Sequence, residues 1–144
     1  MTDDASFLAR PDNTARLARG VQRFWIDRGH APLLEVSLAN GRRADVLALG
    51  PKGELVITEI KSGLADYAAD QKWPDYLDFA DQFYFAVDAD FPHPIIPEDV
   101  GLIVADGFGG AIVRPAPVAQ LAPARRKAML LTFARLAALR LASP

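Results

Sequence analysis

Acidic and basic side chains alternate at the end of one strand-like segment of the chain. The segment ELVITEIK covers residues 54–61 and closes an otherwise apolar run with Glu59 and Lys61. Because successive side chains of a β-strand point to opposite faces, Glu59 and Lys61 project from the same face. A carboxylate and an amine placed together in this way form either a salt bridge at the rim of a sheet or part of a reactive site.

A second carboxylate is predicted to face Glu59 across a hairpin. The strand-like segment ADVLALG, residues 44–50, is joined to the first segment by a short Pro-Lys-Gly connection. A turn centred on the Lys of that connection places Asp45 directly opposite Glu59. Two opposed carboxylates repel, and a divalent cation such as Mg²⁺ (or Mn²⁺) relieves the repulsion because it prefers oxygen ligands. Lys61 is then placed to hold a water molecule or a phosphate oxygen beside the cation.

Glu35 is a third carboxylate that an earlier hairpin can bring to the same face. It lies in the strand-like segment LLEVSL, residues 33–38, which is followed by Ala39-Asn40-Gly41. A three-residue loop with Gly41 in the left-handed conformation pairs Glu35 with Asp45, whereas a two-residue Asn-Gly turn points Glu35 away. The sequence leaves both registers open, so Glu35 is a candidate metal ligand in the first register only.

The first helix is predicted to follow a loose N-terminal arm at residues 1–12. Asn13 or Thr14 is expected to cap this helix, which runs to about Asp27. Three basic residues recur at helical spacing and share one face: Arg16, Arg19 and Arg23. A solvated surface is the simplest interpretation of that face.

The later segments complete a single α/β domain spanning residues 1–144. Two short helices are predicted within residues 64–81, because Pro74 suits a first helical position. Gly107-Phe108-Gly109-Gly110 is expected to be a turn between two strands, and it lacks the Lys of a phosphate loop. The resulting sheet is mixed, has four or five strands and is flanked by helices. The remaining predicted elements are strands at 82–87, 101–105 and 110–114 and a helix at 123–142.

Charge and composition limit the classes of function. The net charge is −2 and the pI about 5.6, so binding to DNA requires a local basic patch rather than a generally basic surface. The chain contains no cysteine, which excludes disulfides and thiolate metal sites. The acidic start and the lack of a long apolar run predict a cytoplasmic protein that does not span a membrane.

These residues carry a resemblance to a known superfamily. Asp45 followed by Glu59-Ile60-Lys61, on a helix–strand–strand–strand–helix–strand order, resembles the PD-(D/E)XK nucleases, which share a restriction-endonuclease-like αβββαβ core. More closely, RRADVLAL, ITEIKSG and DYAADQKWPDYLDFADQFYFAV are similar to the MmcB family of bacterial DNA-repair proteins. The resemblance covers about residues 30–90 well, and the Pro of the nuclease signature is Ala44 here.

The resemblance implies metal-dependent hydrolysis of DNA phosphodiester bonds in repair. It assigns Asp45 and Glu59 as ligands of Mg²⁺ (or Mn²⁺) and Lys61 as the residue that positions or activates the attacking water. An alternative is a catalytically inert module that binds DNA or acts as a scaffold, in which these side chains form an ordinary ion-pair network with Arg43.

Candidate contacts to DNA lie beside this site and just after it in the chain. Arg43 precedes Asp45 by two residues, and Gln71, Lys72 and Trp73 lie in the polar segment after Lys61. Lys72 is placed to neutralise a phosphate and Trp73 to stack on a base, although Trp73 is also a candidate core residue. Because the domain is short and its basic surface modest, a homodimer or a repair-protein partner is expected to help it hold DNA.

Overall fold

The structure is a computed structural model that describes residues 10–69 and 71–143, without the side chains of residues 10–12. Within these residues, three α-helices and six β-strands follow one another in an order that begins with the expected αβββαβ core. Two 3₁₀ segments, Trp73–Phe79 and His93–Ile95, interrupt the connections. Within the described residues, no helix combines the length and apolar character needed to cross a membrane. The elements are α1 (Arg10–Asp27), β1 (Ala31–Ser37), β2 (Arg43–Leu49), β3 (Leu55–Ile60), α2 (Leu64–Ala69), β4 (Gln82–Val87), β5 (Gly101–Ala105), β6 (Gly110–Arg114) and α3 (Pro123–Ala142).

The strands form one mixed sheet in the order β1-β2-β3-β4-β5-β6. Neighbouring strands run antiparallel except for β3, β4 and β5, which are mutually parallel. The predicted mixed α/β sheet is confirmed, but the expected four or five strands is wrong. The sixth strand arises because the segment 110–114 folds back and pairs with β5 as an additional outer strand.

The parallel strands define a common edge of the sheet, which we call the carboxyl edge. It consists of the ends of β3, β4 and β5, where the chain leaves Ile60, Val87 and Ala105. Parallel strands require crossover connections, and residues 61–81 and 88–100 supply them. Side chains that follow these three strands are therefore brought to one edge of the molecule.

Helix α1 starts earlier than the sequence predicts. It begins at Arg10, so residues 10–12 of the expected arm are helical, while residues 1–9 lie outside the described part of the chain. Asn13 is not a cap but lies inside the helix, where its side-chain amide donates hydrogen bonds to the carbonyl of Ser62 and the carboxylate of Asp88. Asn13 thus attaches α1 to the carboxyl edge.

Apolar side chains pack on both faces of the sheet. On one face, α1 buries Leu17, Val21 and Trp25 against β2 and β3, and the indole nitrogen of Trp25 donates a 3.0 Å hydrogen bond to the hydroxyl of Thr58. The other face packs against the 3₁₀ segment Trp73–Phe79 and α3. The buried residues of this layer include Leu47, Leu55, Ile57, Phe83, Phe85 and, from α3, Met129. Burial on both faces explains why β3 is apolar along most of its length and charged only at its end.

Asp81 holds together the edge of the sheet opposite the carboxyl edge. Its buried carboxylate accepts hydrogen bonds from the backbone amides of Leu55 and Leu121, and two more from the guanidinium of Arg126 at 2.6 and 2.9 Å. Leu55 begins β3, Leu121 precedes α3 and Arg126 lies in α3. The side chain of Asp81 therefore fixes the start of β3 and attaches the last helix to the sheet. Burial alone would raise the pKa of Asp81, but the bonds from Arg126 and the two amides outweigh it and lower the pKa.

We expect Asp81→Asn to lower the free energy of unfolding at pH 7 by about 2 to 4 kcal/mol, because it leaves Arg126 without its anion. The lowered pKa means that this contribution is complete above about pH 4 and is lost as the pH falls below it. Urea unfolding at pH 7 and pH 3 measures both effects, with the exposed Asp99→Asn as the matched control. Equal stability of Asp81→Asn and wild type at pH 7 would show that the network is not stabilising.

Candidate active site

Asp45 and Glu59 lie opposite each other across the β2–β3 hairpin, in the predicted register. The pairs Leu47–Ile57 and Val46–Thr58 precede them along the ladder. Beyond these pairs the two strands are joined through side chains: the amide of Asp45 donates to Glu59 Oε1 at 2.9 Å, and the amide of Ile60 donates to Asp45 Oδ2 at 2.8 Å. Each carboxylate is therefore held in place by the backbone of the opposite strand.

The charged groups of this hairpin are removed from water. Glu59 and Lys61 are only 4% and 5% exposed, and Asp45 is half-buried. Burial raises the pKa of Asp45 above its ordinary value, and the charge of Asp66 adds to that rise, while the bond from Ile60 and the charge of Lys61 partly offset it. Folding thus disfavours a negative charge at Asp45 in the metal-free protein, which is the condition that a bound cation relieves.

The first hairpin adopts the three-residue loop that the sequence left open. Gly41 has a φ of +87°, and the flanking pairs Leu34–Val46 and Val36–Ala44 set Glu35 opposite Asp45. Glu35 itself has a φ of +51°, a left-handed conformation that is unusual for a residue other than Gly and that interrupts the pairing of β1 with β2. Its largely exposed carboxylate lies 3.7 Å from the guanidinium of Arg43.

A cleft of about 580 Å³ contains these groups. Five of its lining residues were singled out from the sequence: Glu35, Arg43, Asp45, Glu59 and Lys61. Five further lining residues were not predicted as site residues, and they come from α1, from the end of β3 and the residues after it, and from the segment Trp73–Phe79: Thr14, Ile60, Ser62, Asp66 and Tyr76. The structure therefore gathers one site from α1, β1, β2, the end of β3, α2 and the 3₁₀ segment Trp73–Phe79.

Asp66 and Tyr76 shape this cleft from the segments that follow β3. The carboxylate of Asp66 accepts a 3.0 Å hydrogen bond from the amide of Ser62, so it holds the chain as it leaves Lys61. The spacing of Ser62 and Asp66 around the start of α2 was the available sequence signal, because acidic residues favour the first turn of a helix. Tyr76 is buried and its hydroxyl donates to the carbonyl of Arg43, which fixes the start of β2.

The other candidate DNA contacts lie away from the cleft. Among the described residues that line it, Arg43 is the one member of the predicted DNA-contact set. Trp73 is half-buried, with its ring 5.9 Å from that of Phe83 in a stacked arrangement, which is the core packing that the sequence allowed. Gln71 is exposed and donates to the carbonyl of Tyr67, and Lys72 is exposed. A DNA contact by Gln71, Lys72 or Trp73 stays a prediction.

The donor set fits a hard divalent cation with few protein ligands. Within the described residues there is no group of three His, Cys, Asp or Glu side chains arranged to hold a metal ion. Mg²⁺ often binds through only one or two carboxylates and keeps several waters, so Asp45 and Glu59 are sufficient in number and type. Glu35, which is paired with Arg43 at the mouth of the cleft, is an additional candidate ligand.

The αβββαβ core and its mixed six-stranded sheet define an α/β domain with the element order that the sequence resemblance implies. The model of a family described as DNA repair protein MmcB-like matches residues 3–144, so the chain belongs to the MmcB-like family.

Two solved structures resemble the chain. One is described as the SPO1766 protein of unknown function from Silicibacter pomeroyi; it is 46% identical, with a TM-score of 0.87, and the match covers 90% of this chain and 88% of that one. The other is a repair endonuclease from Pyrococcus abyssi, which is 16% identical with a TM-score of 0.31 over 44% of this chain and 31% of that one. No curated protein matches the chain.

We expect Asp45→Asn to stabilise the metal-free protein at pH 8 by about 1 kcal/mol, because it removes a half-buried charge that faces Glu59. The pKa of Asp45 is raised, so the wild-type carboxyl is protonated at low pH and becomes charged as the pH rises through that pKa. The difference between the two proteins is therefore absent below the unfolded pKa, at about pH 3, and opens as the pH rises toward 8.

Urea unfolding in the presence of a chelator, at about pH 3 and pH 8, measures this difference, and Asp99→Asn again serves as the control. A less stable Asp45→Asn protein at pH 8 would show that the charged carboxylate makes net favourable contacts without a metal.

Proposed function

We propose that this protein is a divalent-metal-dependent deoxyribonuclease that hydrolyses phosphodiester bonds during DNA repair. The observation that carries the proposal is the pair of carboxylates, Asp45 and Glu59, fixed opposite each other beside the buried Lys61. Two carboxylates held together repel each other, and the charge of Lys61 offsets the effect of burial on Asp45 only in part, so the arrangement favours a metal site over a structural ion pair. Membership of a DNA-repair family supports DNA as the substrate.

The proposed roles follow from position and charge. Asp45 and Glu59 would hold Mg²⁺ or Mn²⁺, with Glu35 as a further ligand. The cation would stabilise negative charge on the scissile phosphate and lower the pKa of a bound water. Lys61 lies two residues beyond Glu59 and would orient the attacking water or a phosphate oxygen. Its burial keeps the side chain in a defined place.

Arg43 is proposed to contact the DNA backbone at the mouth of the cleft. Its guanidinium is exposed and lies beside Glu35, so a phosphate can replace or share that carboxylate as its partner. The ion pair would also keep Arg43 oriented before DNA binds. The exchange is favourable because an exposed ion pair is weak and a phosphate offers two acceptor oxygens.

A second candidate function is an inert nuclease-fold module that binds DNA or assembles repair proteins. One observation favours it: within the described residues, no cluster of three possible metal ligands is assembled. Such a module has no need of a cation between Asp45 and Glu59, so metal binding separates the two functions.

The test is a calorimetric titration of Mn²⁺ into wild type, Glu59→Gln and Lys61→Met, with cleavage of branched, nicked and single-stranded DNA assayed on the same samples. We expect wild type to bind Mn²⁺ and to cut DNA, and Glu59→Gln to do neither. Lys61→Met should still bind Mn²⁺ but cut about 100-fold more slowly or worse, because Lys61 acts on the water or phosphate rather than on the metal.

The exposed Lys127→Met is a matched control for Lys61→Met, and it should cut as wild type does. Wild type that binds no Mn²⁺, even with DNA present, would contradict the nuclease proposal and leave the inert module. Cleavage that survives in Glu59→Gln would show that the reaction takes place elsewhere or comes from a contaminant.

A further inference from the structure

The turn that joins β5 and β6 lies at the same carboxyl edge as the candidate active site. Lys61 follows β3, and Asp106 follows β5, two strands away across β4. Strands in a sheet are about 4.8 Å apart, so these two positions are separated by roughly 10 Å. That distance corresponds to about three stacked nucleotides, at about 3.4 Å for each.

A series of contacts connects the two positions through α1. Asn13 donates hydrogen bonds to Ser62, next to Lys61, and to Asp88 after β4. Arg16, one helical turn further on, donates to the side-chain oxygen of Asn13. The aliphatic part of Arg16 lies against Gly107 of the β5–β6 turn, where an added Cβ would come within 2.8 Å of it. The carboxyl edge next to Lys61, the start of α1 and the β5–β6 turn therefore form one continuous surface.

The β5–β6 turn is held in a fixed shape. The carboxylate of Asp106 accepts hydrogen bonds from the amides of Phe108 and Gly109 at 2.7 and 3.0 Å. Gly20 of α1 packs so closely on the turn that an added Cβ would lie 1.7 Å from the carbonyl oxygen of Asp106. The negative charge of Asp106 is directed at these backbone amides, which reduces its repulsion of a nearby phosphate.

Phe108 projects from this fixed turn into solvent. Its side chain is 83% exposed, although an aromatic ring of this size usually gains by burial. Arg16 lies against the neighbouring Gly107, and the exposed Arg19 follows three residues later on the same helix, so both bring positive charge to this side of an otherwise acidic protein. An exposed aromatic ring next to arginines is the combination that proteins use to bind single-stranded nucleic acid, because every base can stack and every nucleotide carries a phosphate.

We infer that Phe108 stacks on an unpaired base of the DNA strand that is bound at Asp45, Glu59 and Lys61, while Arg16 and Arg19 contact its phosphates. The inference rests on the proposed function for the identity of the ligand. It specifies the substrate class as single-stranded or branched DNA, since the bases of an intact duplex are stacked on one another and offer no face to an aromatic side chain.

The test measures binding without cleavage, by fluorescence anisotropy of a labelled oligothymidine and of a labelled duplex in the presence of a chelator. We expect Phe108→Ala to bind the oligothymidine on the order of tenfold more weakly than wild type and to bind the duplex with little change. Phe108→Trp should retain the binding, and quenching of its added tryptophan fluorescence by the oligonucleotide should report the stacked ring.

Val118→Ala is the matched control. Val118 is also an exposed apolar residue, but the neighbouring Ala119 donates to the carbonyl of Asp81 at the opposite edge of the sheet. Its substitution should leave the binding of both DNAs unchanged.

Two results would overturn the inference: wild-type affinity of Phe108→Ala for the oligothymidine, or an equal loss of affinity for the oligothymidine and the duplex. Either result leaves the nuclease proposal standing, because Mn²⁺ binding and cleavage are measured separately on wild type. The converse result is a wild type that binds no Mn²⁺ and a Phe108→Ala variant that still loses affinity for the oligothymidine. That result would support the stacking surface and contradict the nuclease proposal.

Discussion

The antiparallel register of β2 and β3 is the constraint on which the candidate site depends. The tight turn between them, with Gly53 at a φ of +90° and its amide bonded to the carbonyl of Gly50, fixes that register. A shift by one residue would turn Asp45 and Glu59 to opposite faces. In the observed register each carboxylate accepts a hydrogen bond from the opposite strand, so the geometry of the pair is set by the backbone before any metal or DNA is bound.

The two edges of the sheet differ in how completely the charge of a buried carboxylate is offset. At one edge the Asp81–Arg126 ion pair and two backbone amides bind β3, β4 and α3 together with every charge compensated. At the carboxyl edge, burial raises the pKa of Asp45, and Glu35 adopts a backbone conformation that is costly for a residue with a side chain. A carboxylate whose charge is only partly offset, next to a strained backbone, is typical of functional sites.

The parts of the structure that follow from local rules were predictable from the sequence. The short turn between β2 and β3 was enough to predict that Asp45 lies opposite Glu59. The helix at 123–142 also has the predicted bounds. Glu35 was different, because two loop types were equally compatible with Asn40-Gly41, and no local rule predicts a positive φ at a glutamate. The choice between the loops depends on how β1 packs in the finished sheet.

The residues that the sequence did not reveal act through distant partners. Asn13 has the residue type of a helix cap, yet its side chain bonds to Ser62 and Asp88, far along the chain. Asp81 stands alone before a strand, and only the folded chain brings Arg126 to it. Phe108 was predicted to lie in a turn, but its exposure beside Arg16 depends on the packing of α1 against that turn through Gly20.

The metal site between Asp45 and Glu59 is tested most directly by locating the cation itself. We would collect anomalous diffraction from crystals of the wild-type protein grown with Mn²⁺. We expect an anomalous peak bonded to both Asp45 and Glu59, at about 2.1 Å from their oxygens as expected for a hard divalent cation. Full Mn²⁺ occupancy elsewhere on the protein, with none between these two carboxylates, would contradict it.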